Sequence, residues 1–193
     1  MLYSSLKLAV LSLLAAGSAA KTVRIDVGRS GKTFSPDSVT ADRGDTLEFH
    51  FSGSKHSVVA GDFDKACSPL ASGGFYSGTL QAKGDDPSVF QVNVTSTDPI
   101  FYYCSVGNHC KDGMVGVVNP SQDRTLDKFR SNAKSAGGNV SPPAPFGGKA
   151  IKPSESTATA SGAGPRPTNA AGHLTAPLVA LGGAAVGAAA LLA

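Results

Sequence analysis

In the stretch FYYCSVGNHCKDGMVGVVNP, residues 101–120, three residues stand at intervals of five: Cys104, His109 and Met114. A thiolate, an imidazole and a thioether are the donors that hold copper in a trigonal site with a weak axial methionine. Such a site takes a second imidazole, and His56 in GSKHSVV sits where an earlier strand could supply it. With the first twenty residues set aside as a leader, Met114 is the one methionine left, and it falls at the axial position. Soft sulfur donors favour Cu(I), while two imidazoles keep Cu(II) accessible, so the chemistry in prospect is the gain and loss of one electron.

These residues need a frame, and residues 21–120 read as one all-β domain. TVRIDV (22–27) alternates as a strand. FSPDSVTADRGDTLEFHF (34–51) carries turn signals at Ser35-Pro36-Asp37 and Arg43-Gly44-Asp45, then alternates again. In that last strand Leu47, Phe49 and Phe51 share one face, with Glu48 and His50 on the other, which alternation turns outward. His56–Ala60, SVFQVNV (88–94), IFYYC (100–104) and MVGVVN (114–119) complete about seven short strands, the pattern of a two-sheet Greek-key sandwich.

Within this frame Cys104 ends a strand and can point between the sheets. Gly107-Asn108 permits a tight loop that returns His109, and Asp112-Gly113 turns the chain again to present Met114. Cys110 adjoins His109, so in an extended segment it points away from the metal and is free to pair with Cys67. The cysteine count is three, odd for a secreted chain. Either one thiol is free or one is a ligand. Pairing of Cys104 with Cys67 or Cys110 is the competing reading, as is Met114 as ordinary core filler. A structural zinc site fits less well, because zinc takes four nitrogen or sulfur donors without a thioether. His50 is assigned a structural or exposed role.

Residues 1–20 read as a secretory signal: Lys7, an apolar run from Leu8 to Ala16, then small residues up to Ala20. The tail LTAPLVALGGAAVGAAALLA is uncharged and lacks a Lys or Arg beyond it, which favours a GPI-attachment signal at 170–193 over a permanent span. Asn169 is the expected attachment residue, with Ser161, Gly162 and Gly164 as weaker candidates. Residues 121–169 are expected to be a disordered Ser/Thr/Pro/Gly/Ala-rich linker or stalk, although RTLDKFRSNA (124–133) could form a short amphipathic helix that docks Leu126 and Phe129. Asn93 and Asn139 begin N-glycosylation sequons, the second followed by Pro142. Lys and Arg total 17 against 14 Asp and Glu, with the basic excess after residue 120 and no compact basic patch interleaved with aromatics, so nucleic acid is not expected as a partner.

CSVGNHCKDGM resembles the copper loop of the phytocyanin-type cupredoxins, with a ligand Cys, a ligand His five on, a disulfide Cys next to it, and Met or Gln as axial ligand. HSVVAGDFDKACSPL, GFYSG and DPIFYYC, with the rest of that loop, are more specifically similar to fungal extracellular cupredoxin-domain, serine-rich proteins. The likeness covers about residues 22–120. It implies a cupredoxin-like sandwich, copper ligands His56, Cys104, His109 and Met114, and a Cys67–Cys110 disulfide. It also implies secretion, often with a GPI anchor; the function expected is that of a monomer at the outer face of the plasma membrane or in the cell wall that carries single electrons for an unknown redox partner. Two alternatives keep the same site: copper capture or buffering without redox, and a wall or adhesion module whose copper site is vestigial. An enzyme is not expected, because there is no second copper cluster and Lys21, not a histidine, opens the mature chain.

Overall fold

Two mixed β-sheets pack face to face in the computed structural model of the chain, which describes residues 19–157 apart from 85 and 87. Most of the expected leader, Asn169 with Ser161, Gly162 and Gly164, and the apolar tail lie outside these residues. The strands are β1 (Thr22–Val27), β2 (Phe34–Ser35), β3 (Ser38–Val39), β4 (Thr46–Phe51), β5 (Val59–Gly61), β6 (Val89–Asn93), β7 (Ile100–Tyr103) and β8 (Val115–Val118). A helix, α1 (Leu126–Lys134), and a last strand, β9 (Lys149–Ile151), follow. One sheet runs β2-β1-β4-β6-β9 and the other β3-β8-β7-β5, with β1 parallel to β4 and β3 parallel to β8. Among the described residues no helix is long and apolar enough to cross a membrane.

The core follows from the alternation. Ile25 and Val27 of β1 and Leu47, Phe49 and Phe51 of β4 face inward and are buried. From the opposite sheet Tyr102 meets Phe49 edge-to-face at 5.2 Å and Phe34 at 4.9 Å, an arrangement that aromatic quadrupoles favour. A second cluster fills the outer face of the β8-β7-β5 layer. There α1 lays Phe129 on Phe101 at 4.9 Å, while Phe63 approaches Phe101 to 4.6 Å. Thr125 caps the helix by accepting from the Lys128 N–H.

Three expectations are met only in part. His56–Ala60 is not a strand throughout: β5 begins at Val59, and His56 makes an isolated bridge with Leu80. The reason is local, since the Ser57 N–H is directed at Cys104 Sγ and the Val58 N–H at Ser77 Oγ, which takes both out of a ladder. His50 does face away from the core but is buried, because the chain after β9 covers that face: Ser156 Oγ donates to Glu48 Oε2 and the Thr157 N–H to Glu48 Oε1. Within the expected linker the helix forms as foreseen, and a strand forms where none was expected. Besides α1, β9 pairs with β6 in the register Val89↔Ile151 and Gln91↔Lys149. A free strand edge offers N–H and C=O groups to any backbone that can lie along it, so three residues suffice where no side-chain pattern announces a strand.

Candidate metal centre

Cys104 follows β7 directly, and its N–H donates to the Met114 carbonyl at 3.1 Å, so the strand pairing carries on into the loop's two ends. Between them the loop folds on itself. The His109 N–H donates to the Val106 carbonyl at 3.0 Å, and the Met114 N–H to the His109 carbonyl at 2.8 Å. The glycines expected to turn the chain do so, Gly107 at φ +50° and Gly113 at φ +96°.

The loop brings His109 Nδ1 to 3.4 Å from Cys104 Sγ, and His56 places its own Nδ1 at 3.8 Å from the same sulfur. One ligand atom from each of the three residues lies within 4.8 Å of the others. A metal bonded to sulfur at roughly 2.3 Å and to nitrogen at roughly 2.0 Å, with trigonal angles, sets the two donors about 3.7 Å apart. The observed separations bracket that value. Met114 is wholly buried in the same core cluster as Cys104. Two imidazoles and one thiol so gathered are compatible with one copper ion.

Burial acts in opposite senses on the cysteine and the two histidines. Cys104 is fully buried and in no disulfide. Burial pushes its thiol pKa up, against the N–H groups of Val106 and Ser57 that favour the thiolate. Burial lowers the pKa of both His56 and His109, which favours the neutral ring with a bare nitrogen to offer. Ser54 Oγ lies 3.1 Å from His56 Nε2 and can accept a hydrogen bond from that nitrogen. A proton held there leaves Nδ1 bare towards the sulfur.

Ser57 ties the two halves of the site together. Its N–H points at Cys104 Sγ at 3.4 Å, its Oγ accepts from the Ser105 N–H at 2.8 Å, and the two hydroxyls meet at 2.9 Å. Cys67 and Cys110 form a disulfide with Cα atoms 5.8 Å apart, which pins the loop beside His109 to the segment after β5. Asn93, at the end of β6, is exposed. Asn139 directs its side-chain nitrogen at the loop. Ser54, Ser57 and Asn139 were not legible as parts of the site. Only the nearness of the two serines to His56 in sequence hinted at a role.

No protein-family model matches the chain. A protein of Arthroderma benhamiae named as a probable GPI-anchored cupredoxin is 41% identical over 182 residues, spanning 90% of this chain and 93% of that protein. An extracellular serine-rich protein of the same organism is 34% identical over 123 residues, which are 63% of this chain and 48% of the relative. Among solved structures, a purple cupredoxin of Nitrosopumilus maritimus is 19% identical with a TM-score of 0.41, matching 51% of this chain and 99% of that one. Plastocyanin of Dryopteris crassirhizoma is 23% identical with a TM-score of 0.37, matching 50% and 97%.

Proposed function

The chain belongs to the cupredoxin family, and on that basis we propose that it is a cell-surface blue copper protein that carries single electrons. In this reading His56, Cys104, His109 and Met114 hold one copper ion. The observation that carries it is a fully buried thiol, outside any disulfide, faced by the Nδ1 atoms of two imidazoles. When bound, copper supplies a couple that changes by one electron.

The chain's own groups do the rest. The N–H groups of Ser57 and Val106 favour negative charge on Cys104 Sγ, and a more stabilised sulfur gives less density to a bound metal. The loop is held at both ends by backbone bonds and beside His109 by the disulfide, so its donors move little when the charge at the site changes. Of the three clustered ligands His56 and Cys104 are buried and His109 is half-buried, which makes the His109 ring the way out for an electron to a partner. A leader at 1–20, a lipid anchor near Asn169 and glycosylation at Asn93 belong to the same reading. It is supported by the relative named GPI-anchored and by the composition of the tail.

Voltammetry of the secreted, copper-loaded chain tests the redox role. A reversible one-electron wave supports it, whereas tightly bound copper with no reversible wave points to copper capture. Release of the protein from cells by a phosphatidylinositol-specific phospholipase tests the anchor.

A further inference from the structure

The chain beyond α1 passes the ligand loop, and there Asn139 grips the loop's backbone. Asn139 Nδ2 donates to the Cys104 carbonyl at 3.2 Å and to the Gly107 carbonyl at 2.8 Å. Two carbonyls facing one end of an amide fix which end it is, since the oxygen has nothing to donate. The peptide unit that begins with the Cys104 carbonyl ends in the Ser105 N–H, which donates to Ser57 Oγ. Asn139 and Ser57 therefore hold opposite edges of the first peptide plane after the thiol. Around this grip the same segment is fastened three more times. Ser141 Oγ donates to Ser105 Oγ, the Val140 N–H to the Cys67 carbonyl, and the Tyr103 hydroxyl to the Val140 carbonyl.

We infer that Asn139 is a positioning residue for the ligand loop and that its side chain carries no glycan in the folded protein. Both hydrogens of Nδ2 are in use. An N-linked sugar replaces one of them and would stand against the loop carbonyls, so the sequon and the grip exclude each other. Asn93, exposed on β6, has no such conflict between its place in the fold and a sugar. The consequence for a metal rests on the function proposed above; the consequence for the loop does not.

Peptide mass mapping of the full secreted chain reads the first half directly. Asn139 should be unmodified, and a glycan on most copies overturns the inference. This reading uses the wild-type chain and stands even where a variant does not fold. Hydrogen exchange on the metal-free protein reads the second half. Asn139→Ala should speed exchange at the Ser105 and His109 amides about tenfold or more and leave β1 and β4 unchanged. Unchanged exchange in the loop overturns it. With Cu(II) loaded, the variant should also show a displaced thiolate absorption band and faster metal release. If the wild-type chain takes up no copper, the proposed function fails while the exchange comparison still decides the role of Asn139.

Discussion

Gly28 lies directly against the imidazole of His56: a Cβ at residue 28 would overlap the ring at Cδ2 and Nε2, and the backbone there has φ +79°. The glycine is required twice over, by the left-handed backbone and by the space the ring fills. Gly28→Ala should cost roughly 1–2 kcal/mol from the backbone alone. It should also displace the His56 ring and weaken copper binding by about tenfold or more, since each 1.4 kcal/mol is a factor of ten. Competition titration against a chelator checks the affinity, and far-UV circular dichroism checks that the sandwich persists.

The covered face of β4 makes stability depend on acid. Burial would raise the Glu48 pKa, but bonds from Ser156, Gln91 and His50 offset that and hold it at about 2, against an ordinary 4.5. A carboxyl with a lowered folded pKa contributes stability that is fully present above about 4.5 and is lost as pH falls through about 2. Glu48→Gln should therefore be destabilised near neutrality, by at most about 3 kcal/mol. The gap to the wild type should close as the pH approaches 2. Urea unfolding across that range measures it.

His50 titrates the same way for a different reason. Burial lowers its pKa below 6.5 although Glu48 pulls it up, so the unfolded chain takes up a proton that the folded chain resists. Stability from this group is present above 6.5 and declines as pH falls below it. In His50→Gln that part of the pH slope should be missing.

The frame was legible in the sequence because its signals are local. Alternation placed Leu47, Phe49 and Phe51 inward, and all three are in the core. The spacing of Cys104, His109 and Met114 announced a compact loop because Gly107 and Gly113 supply the turns. What alternation could not tell was the cover on the outer face. Glu48 and His50 are buried by residues more than a hundred positions away, Ser156 and Thr157, in a stretch whose composition spoke for a solvated linker. The grip of Asn139 was hidden for the same reason. Its hydrogen bonds go to main-chain carbonyls, which leave no trace in residue type.

The disulfide closes a long loop over the site. In the chain-entropy model, replacing both Cys67 and Cys110 by serine should lower the stability of the metal-free protein by roughly 4 kcal/mol. Denaturant midpoints for the two proteins measure this. Copper release from the variant should be faster, because the loop beside His109 is no longer tied to the segment after β5.

Met114 offers a graded test of the axial position. Met114→Gln exchanges a soft thioether for a hard oxygen of similar reach, which favours Cu(II) over Cu(I). The reduction potential should fall, with the thiolate absorption retained. A potential that does not move would mean that Met114 is packing alone.

The most direct test is the visible and EPR spectrum of the chain loaded with Cu(II), beside a Cys104→Ser variant. The account predicts an intense blue band with narrow copper hyperfine splitting, both lost in the variant. A chain that takes up no copper, or binds it with the same weak spectrum with and without the Cys104 thiol, would contradict it.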